Sequence, residues 1–311
     1  MPYALANLRT ASGPVLAVET EGRYYPLSAL APDLDMDATT GLLGLLQDWA
    51  TVEPRIEKAL TRLSSQPSLA EPNLEDFLAP VLYPSKIMCT GTNYYDHLAK
   101  DFNVTDFDKT KYDILYFLKH SRALVGAGPS VRYPSESRQL DWEVELVAVF
   151  GKSGRRLSPT QALDHVAGYA IGLDLSARDL QFSPRHRKQF DLFGGKSFDD
   201  SSPMGPVIVP AKFVDPTDLS LKLWVNGELK QDSHTREMIW TMAEQISEVS
   251  QHMTIEAGDV LYTGSPAGIG YVSKTFLKEG DLVEAEITGL GRLSVTIAPD
   301  PDAAAARVFL K

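Results

Sequence analysis

The sequence has little cysteine and no long apolar run. Its single cysteine, Cys89, cannot form an intramolecular disulfide, and the preceding Ile87 and Met88 suggest that it is buried. A reducing cellular interior is therefore expected. No apolar run approaches the roughly 20 residues of a membrane-spanning helix. The start, MPYALANLRT, lacks the apolar stretch of a signal peptide. We therefore expect a soluble cytoplasmic protein.

Basic residues are also in the minority, with 30 Lys and Arg against 41 Asp and Glu, a net charge of −11 and a pI near 5.0. This balance argues against a general nucleic-acid or anionic-membrane binder, because both need a positive surface. A small acidic substrate remains compatible, since a pocket can be locally positive. With 311 residues, 43% hydrophobic and 23% charged, the chain can form a sizeable core.

Composition along the chain predicts two parts, a small N-terminal β/α domain over 1–72 and a catalytic domain over 73–311. The first forty residues indicate short strands separated by turns. Apolar residues between Thr40 and Leu63 have helical spacing, and Pro54 is expected to divide this stretch into two helices. The segment from Ser64 to Asn73, rich in serine and proline, is predicted to be a linker.

The second part is predicted to be mainly β with α (α+β), a roll or sandwich rather than a βαβ fold. One helix is expected to begin at Ser158-Pro159, where serine can cap and proline suits the first helical position. A second helix is expected over about Thr241 to His252. The predicted strands cover 86–91, 144–151, 168–175, 206–211, 219–227, 259–265, 282–289 and 292–299.

A Glu-x-Glu pair at the start of the second of these strands is the first candidate site. Glu143 and Glu145 point to the same face, with Cα atoms about 7 Å apart. Two buried carboxylates repel each other unless a cation lies between them, and all-oxygen ligands suit Mg²⁺ or Mn²⁺. The alternative is the solvent face of an antiparallel strand, which this motif alone favours.

Two further segments strengthen the metal hypothesis. Asp174 ends a wholly apolar strand, where it either caps the following backbone or completes a set of three carboxylate ligands. Lys196 follows paired glycines, so it is either a surface loop residue or a positive charge held close to a substrate oxygen. The glycine spacing there does not match a Walker A loop.

Together these segments resemble the fumarylacetoacetate hydrolase family over about Tyr83 to Pro299. The resemblance rests on four motifs in the family's order: Glu-x-Glu, Asp-x-Ser-Ala-Arg-Asp-x-Gln, Gly-Lys-Ser-Phe with Pro-x-Gly-Pro, and the loop from Thr263 to Gly270. It implies a mixed β-sandwich roll, usually a homodimer. The residues that it assigns are metal ligands Glu143, Glu145 and Asp174, catalytic His97, Lys119 and Lys196, and substrate contacts Tyr94, Gln181 and Thr263.

One position departs from the family. Many small members place a glutamate three residues after the histidine, forming a pair that activates water, whereas this chain has Lys100 there and Asp101 next. Either another carboxylate, Asp101 or Asp106, orients His97, or the pair is absent. The polar stretch 101–112 is expected to be a mobile lid that orders over the site when ligand binds.

The function implied by the resemblance is hydrolysis of a carbon–carbon bond in a 2,4-dioxo acid of the acylpyruvate type. Mg²⁺ or Mn²⁺ and Lys196 would stabilise the pyruvate enolate, and His97 would activate water. The alternatives are a 2-oxo acid decarboxylase or isomerase on the same fold, which the change at Lys100 favours, and a non-catalytic metal- or ligand-binding protein. The expected partner is a small 2-oxo acid, without nucleic acid or membrane.

Two more expectations concern charged residues near these motifs. Arg178 and Asp179 are expected to pair with each other or with nearby backbone. The basic run from Arg185 to Lys188 is expected to be a solvated loop, with the option that it attracts a carboxylated substrate.

Overall fold

The computed structural model describes residues 1–34, 37–63, 66–128 and 130–303. The strands are β1 Ala4–Thr10, β2 Gly13–Thr20, β3 Arg23–Pro26, β4 Phe77–Leu78, β5 Ile87–Gly91, β6 Leu115–Lys119, β7 Leu124–Val125, β8 Ser130–Arg132, β9 Leu140–Asp141, β10 Val144–Phe150, β11 Val166–Leu173, β12 Ser176–Ala177, β13 Ser202–Pro210, β14 Ser220–Val225, β15 Glu228–His234, β16 Val260–Tyr262, β17 Leu282–Ile287 and β18 Gly291–Ala298. The α-helices are α1 Leu27–Leu30, α2 Leu43–Leu46, α3 Trp49–Leu60, α4 Pro159–Ala162, α5 Arg178–Gln181, α6 Leu192–Lys196, α7 Met242–His252 and α8 Gly270–Ser273.

Most strands join one large mixed sheet, in the order β3-β2-β1-β13-β11-β10-β16-β5-β6. Strand β16 runs parallel to β5, and the other neighbours on this path are antiparallel. A second sheet has the order β15-β14-β17-β18-β8, and β9 pairs with β12. The mainly β fold with α-helices (α+β) that the sequence predicts is confirmed.

Both faces of the large sheet are covered at its centre, where every residue of β10 and β11 is buried. Side chains of a strand alternate between faces, and on β10 Leu146 and Ala148 belong to one core with the second sheet and α7. Val147 and Val149 belong to the other core, with α2 and α3. Glu145 lies two residues before Val147 in the strand, so its side chain points to the same face of the sheet, the face covered by these N-terminal helices.

The N-terminal strands continue the large sheet, because β1 pairs with β13 in the register Leu5↔Ile208. Strands from both sides of the boundary predicted at 72/73 therefore share one sheet. The division into two domains stays a prediction. Part of the predicted linker, residues 64 and 65, lies outside the described residues.

Proline 54 does not divide the N-terminal helical stretch, so that expectation is wrong. The break falls before Trp49, and α3 continues through Pro54 to Leu60. Proline in a helix removes one backbone hydrogen bond. The buried face of α3, which includes Trp49, Val52 and Ile56, packs into the core and offsets that loss.

The two helices predicted in the second part are present. Thr241 Oγ1 accepts a hydrogen bond from Glu244 N, and Glu244 accepts one from Thr241 N at 2.8 Å, which closes a capping box at the start of α7. Ser158 and Pro159 begin α4, a single turn that continues as a 3₁₀ turn to His165. In the described part of the chain, no helix combines the length and the apolar character that a bilayer crossing requires.

Candidate metal centre and active site

Three carboxylates meet where β10 and β11 pair. Glu143 directly precedes β10, Glu145 lies in it, and Asp174 directly follows β11. The antiparallel register Val144↔Leu173 and the hydrogen bond from Asp174 N to Glu143 O (2.9 Å) bring both strand ends together. One oxygen from each carboxylate lies within 4.8 Å of the others, and all three residues are buried. The predicted set is therefore assembled in one place.

Two buried lysines neutralise part of this charge. Lys119, at the end of β6, donates to Asp174 Oδ1 at 2.5 Å and to the Ser201 carbonyl at 2.7 Å. Lys196, at the end of α6, lies 2.6 Å from both Glu143 Oε2 and Asp174 Oδ2. Asp174 is thus held between two ammonium groups. Of the two alternatives for Asp174, the carboxylate does not cap the backbone that follows it.

Arg178 is a third cation at the site. Its guanidinium donates to Glu143 Oε1, to Asp141 Oδ2 at 2.9 Å and to Gln181 Oε1 at 3.0 Å. Of the two expected alternatives, the pairing of Arg178 with Asp179 is wrong, because consecutive helical residues point in different directions, whereas a backbone partner is found for Asp179. Asp179 instead accepts hydrogen bonds from the backbone and side chain of the segment that precedes β9.

The protonation of the two glutamates differs because their neighbours differ. Burial alone would raise the pKa of Glu143, but Lys196 and Arg178 offset this and lower it to about 2. Burial also raises the pKa of Glu145, and the nearby Asp174 and Glu143 raise it further, well above its usual range. The charge of Lys196 and the hydrogen bond from Gly264 N (2.8 Å) compensate only in part.

This donor set suits a hard divalent cation. Glu145 faces two carboxylates and contacts a single backbone N–H, and no described cation forms an ion pair with it, so its ionised form needs more positive charge close by. A divalent ion between the three side chains would supply that charge, and all-oxygen ligands are those that Mg²⁺ and Mn²⁺ prefer. Glu143, Glu145 and Asp174 can therefore hold such an ion.

His97 lies beside this centre, on a π-helical turn from His97 to Asp101. Its Nδ1 is 2.6 Å from Asp101 Oδ2, and Gly268 N donates to the same oxygen at 3.1 Å. Of the two carboxylates considered for this role, Asp101 makes the contact. Lys100, at the position of the family's glutamate, points to Asp96 at 3.5 Å. Single π-turns often occur at functional sites.

A cavity of about 130 Å³ connects these groups. Such a volume has room for a small organic acid rather than for a drug-sized ligand. The charged and polar side chains of its lining include Glu143, Glu145, Asp174, Lys196, Arg178, Gln181 and His97. The apolar and aromatic side chains of the lining are Phe102, Leu115, Phe117, Phe182, Phe190, Leu192, Ile269 and Tyr271.

Three of the predicted site residues lie behind the cavity wall rather than in it. Lys119 acts on the site through Asp174. Thr263 Oγ1 donates to the Leu146 carbonyl at 2.8 Å, and the next residue, Gly264, contacts Glu145 through its backbone. Tyr94 is fully buried, and its hydroxyl has no hydrogen-bond partner within the described part of the chain. Their predicted contacts with substrate stay predictions.

Comparison with known proteins places this geometry in a family. The sequence of residues 86–298 matches the protein-family model described as "Fumarylacetoacetate (FAA) hydrolase C-terminal". The mitochondrial oxaloacetate tautomerase FAHD2B of Bos taurus is 43% identical over 218 residues, which cover 69% of this chain and 67% of that protein. The resemblance read from the four motifs is confirmed.

Solved structures agree with the fold. A fumarylacetoacetate hydrolase from Exiguobacterium antarcticum is 31% identical, has a TM-score of 0.79, and covers 96% of this chain and 100% of its own. A fumarylpyruvate hydrolase from Pseudomonas aeruginosa in complex with Mn²⁺ and pyruvate is also 31% identical, with a TM-score of 0.62 and coverage of 73% and 93%. The family's fold is therefore confirmed, while the homodimer and the cytoplasmic location stay predictions.

Proposed function

The chain belongs to the fumarylacetoacetate hydrolase family, and from this premise we propose that it is a metal-dependent enzyme that interconverts the keto and enol forms of a small 2-oxo dicarboxylic acid of the oxaloacetate type. This is the isomerase among the alternatives raised by the sequence. The name of the bovine relative supports it, at higher identity than the hydrolases among the solved structures.

The observation that carries the proposal is the orientation of His97. If Nδ1 carries the proton that lies between it and Asp101, Nε2 is the unprotonated nitrogen of the ring. His97 lines the same cavity as Glu143 and Lys196. In that tautomer Nε2 can accept a proton from a 2-oxo acid bound in this cavity, and the Asp101 carboxylate stabilises the imidazolium that forms.

The three carboxylates, by holding a metal ion, and Lys196 would stabilise the negative charge that forms on the 2-oxo oxygen. Glu143, Glu145 and Asp174 would hold Mg²⁺ or Mn²⁺, which supplies Lewis-acid stabilisation of negative charge on the 2-oxo oxygen. Lys196 lies between Glu143 and Asp174 and keeps its proton, because these two carboxylates raise its pKa against the opposing effect of burial. Its ammonium group can therefore offer a hydrogen bond where charge develops.

In the proposed interconversion, His97 both removes and returns the proton, so no further proton donor is needed. His97 Nε2 removes a proton from C3, the C–H electrons form the C2=C3 double bond, and the carbonyl electrons move to the 2-oxo oxygen. That oxygen then takes a proton from the His97 imidazolium, which restores the neutral ring. Gln181 and Arg178 are positioned in the cavity lining to hold a carboxylate of the substrate.

Hydrolysis of an acylpyruvate is the second candidate, and the His97–Asp101 contact favours it as well. The sequence left open whether this chain has a pair that could activate water, and the 2.6 Å contact supplies one. In that reaction His97 would take a proton from water instead of from carbon. The names of the solved hydrolases support this candidate.

Product analysis separates the reactions. Mn²⁺-loaded protein is given oxaloacetate or an acylpyruvate, with free Mn²⁺ as the blank, and products are followed by NMR in D₂O together with enol absorbance. Faster deuterium exchange at C3 with unchanged carbon skeleton supports the proposal. Pyruvate plus a second acid from the acylpyruvate indicates hydrolysis, and release of CO₂ above the blank indicates decarboxylation. An oxaloacetate exchange rate no higher than the blank would refute the tautomerase.

His97→Ala gives the residue-level test. Loss of a positioned general base lowers turnover by about 10²–10⁴-fold. Mn²⁺ affinity should stay unchanged, because His97 is not a ligand in this proposal. His120→Ala is the matched control, since that histidine is outside the cavity lining. Loss of metal together with loss of activity would make His97 a ligand instead.

A further inference from the structure

The loop from Ser183 to Gln189 stands at the entrance of the cavity. Its flanking residues, Phe182 and Phe190, both line the cavity and are also 38% and 43% exposed, so they mark its solvent end. Their ring centroids are 5.7 Å apart, and Asp191 N donates to the Gln181 carbonyl at 2.7 Å. The two ends of the loop therefore meet on the cavity rim.

This loop carries a cluster of positive charge. Arg185, Arg187 and Lys188 are all exposed. Within the described part of the chain, no carboxylate forms an ion pair with any of the three, whereas His186 lies 3.4 Å from Asp191. Three such cations within four residues contrast with the net charge of −11 of the whole chain.

The cations inside the cavity, unlike those of the loop, form ion pairs with carboxylates. Lys196 and Arg178 are each bound to carboxylates, so their charge is largely balanced by Glu143, Asp174 and Asp141. An approaching anion is therefore attracted first by the loop, whose charge is not balanced by a carboxylate among the described residues. Uncompensated charge at the mouth of a low-dielectric cleft raises the association rate of ligands of opposite sign.

We propose that Arg185, Arg187 and Lys188 form a basic rim that draws anionic 2-oxo acids into the cavity and takes no part in the chemical step. The identity of the ligand class rests on the proposed function. The rim sets how fast a di-anion arrives, and it favours di-anions over mono-anions because the attraction scales with ligand charge.

Ionic strength sets the size of the effect. The Debye length is about 30 Å at 0.01 M salt and only about 3 Å at 1 M. At low salt all three charges act on the ligand together, and we expect the rim to accelerate association of a di-anion by about 10-fold, the lower end of electrostatic steering. At 0.5 M salt the acceleration should fall below about 2-fold.

The test compares two triple variants with equal change of charge. R185Q/R187Q/K188Q removes the rim, and R9Q/R23Q/K58Q removes three exposed cations from β1, β3 and α3, which contribute nothing to the cavity lining. Association of oxalate, a di-anion, and of pyruvate, a mono-anion, with the Mn²⁺-loaded proteins is followed by stopped-flow tryptophan fluorescence at 10 mM and 500 mM salt. Unchanged melting temperatures check that both variants are folded.

The rim variant should bind oxalate about 10-fold more slowly than wild type at 10 mM salt, pyruvate only about 3-fold more slowly, and both at nearly the wild-type rate at 500 mM. Equal losses in both triple variants, a loss that persists at high salt, or no oxalate association with wild type would overturn the proposal. These readouts need no turnover. If the rates differ as expected while oxaloacetate is not tautomerised, the rim stands and the proposed reaction fails.

Discussion

Replacing Asp101 by asparagine tests the arrangement around His97 at one atom. Asp101 Oδ2 lies 2.6 Å from His97 Nδ1, and Gly268 N lies 3.1 Å from Oδ2 and 3.3 Å from Oδ1. Both donors therefore reach Oδ2. An asparagine that places its oxygen at this position can still accept from both, but it lacks the negative charge that stabilises the His97 imidazolium. If the NH₂ group faces His97, the ring proton moves to Nε2 and the base is lost.

We expect Asp101→Asn to lower kcat about 10²-fold, which corresponds to about 2.7 kcal/mol of transition-state stabilisation. Mn²⁺ affinity should stay at the wild-type value, and Asp101→Glu should recover part of the rate. The assay is the initial rate of oxaloacetate ketonisation, with Mn²⁺ binding measured by titration calorimetry. Asp106→Asn is the control, because it removes the same charge from an exposed position of the same segment. A kcat within 3-fold of wild type, or loss of metal, would refute this account of His97.

Three further predictions concern the metal and the lid. Glu143→Gln should abolish turnover and weaken Mn²⁺ binding by more than about 10-fold in a folded protein, and near-wild-type turnover by this variant would show that the metal assignment is wrong. Burial and acidic neighbours raise the pKa of Glu145, whereas the metal binds its ionised form, so Mn²⁺ affinity should rise with pH and binding should release a proton. Calorimetry in buffers of different ionisation enthalpy measures that proton. A flat affinity over about pH 5.5–8 would contradict this prediction. The segment 101–112, which Lys109 joins to Glu244 at 2.9 Å, should exchange its amide hydrogens more slowly with oxalate than without it, and equal exchange would argue against a lid.

The strands could be predicted from the sequence because their apolar runs are bounded by glycine, proline and aspartate. All eight runs predicted in the second part contain strands. The prediction that Pro54 ends a helix was wrong, since the local preference of proline is outweighed by the buried side chains that stabilise α3. How the strands join into sheets, such as the pairing of β1 with β13, depends on contacts distant in sequence.

The three carboxylates could be predicted because strand alternation and strand ends fix where Glu143, Glu145 and Asp174 point. The role of Arg178 was not predicted. A signal was available, because Asp141 lies two residues before Glu143, so the two carboxylates were expected on the same face and needed a cation; Arg178 contacts both. The choice between Asp101 and Asp106 could not be made from the sequence. It depends on a π-turn and on the distant amide of Gly268, neither of which has a local signature.

Anomalous diffraction from crystals grown with Mn²⁺ and oxalate tests the central claim most directly, namely that one metal ion and His97 share this cavity. We predict one strong manganese peak at bonding distance from an oxygen of each of Glu143, Glu145 and Asp174, with oxalate on the same ion and His97 Nε2 facing the ligand. A manganese peak elsewhere, or oxalate bound with no ion between these three carboxylates, would contradict the account.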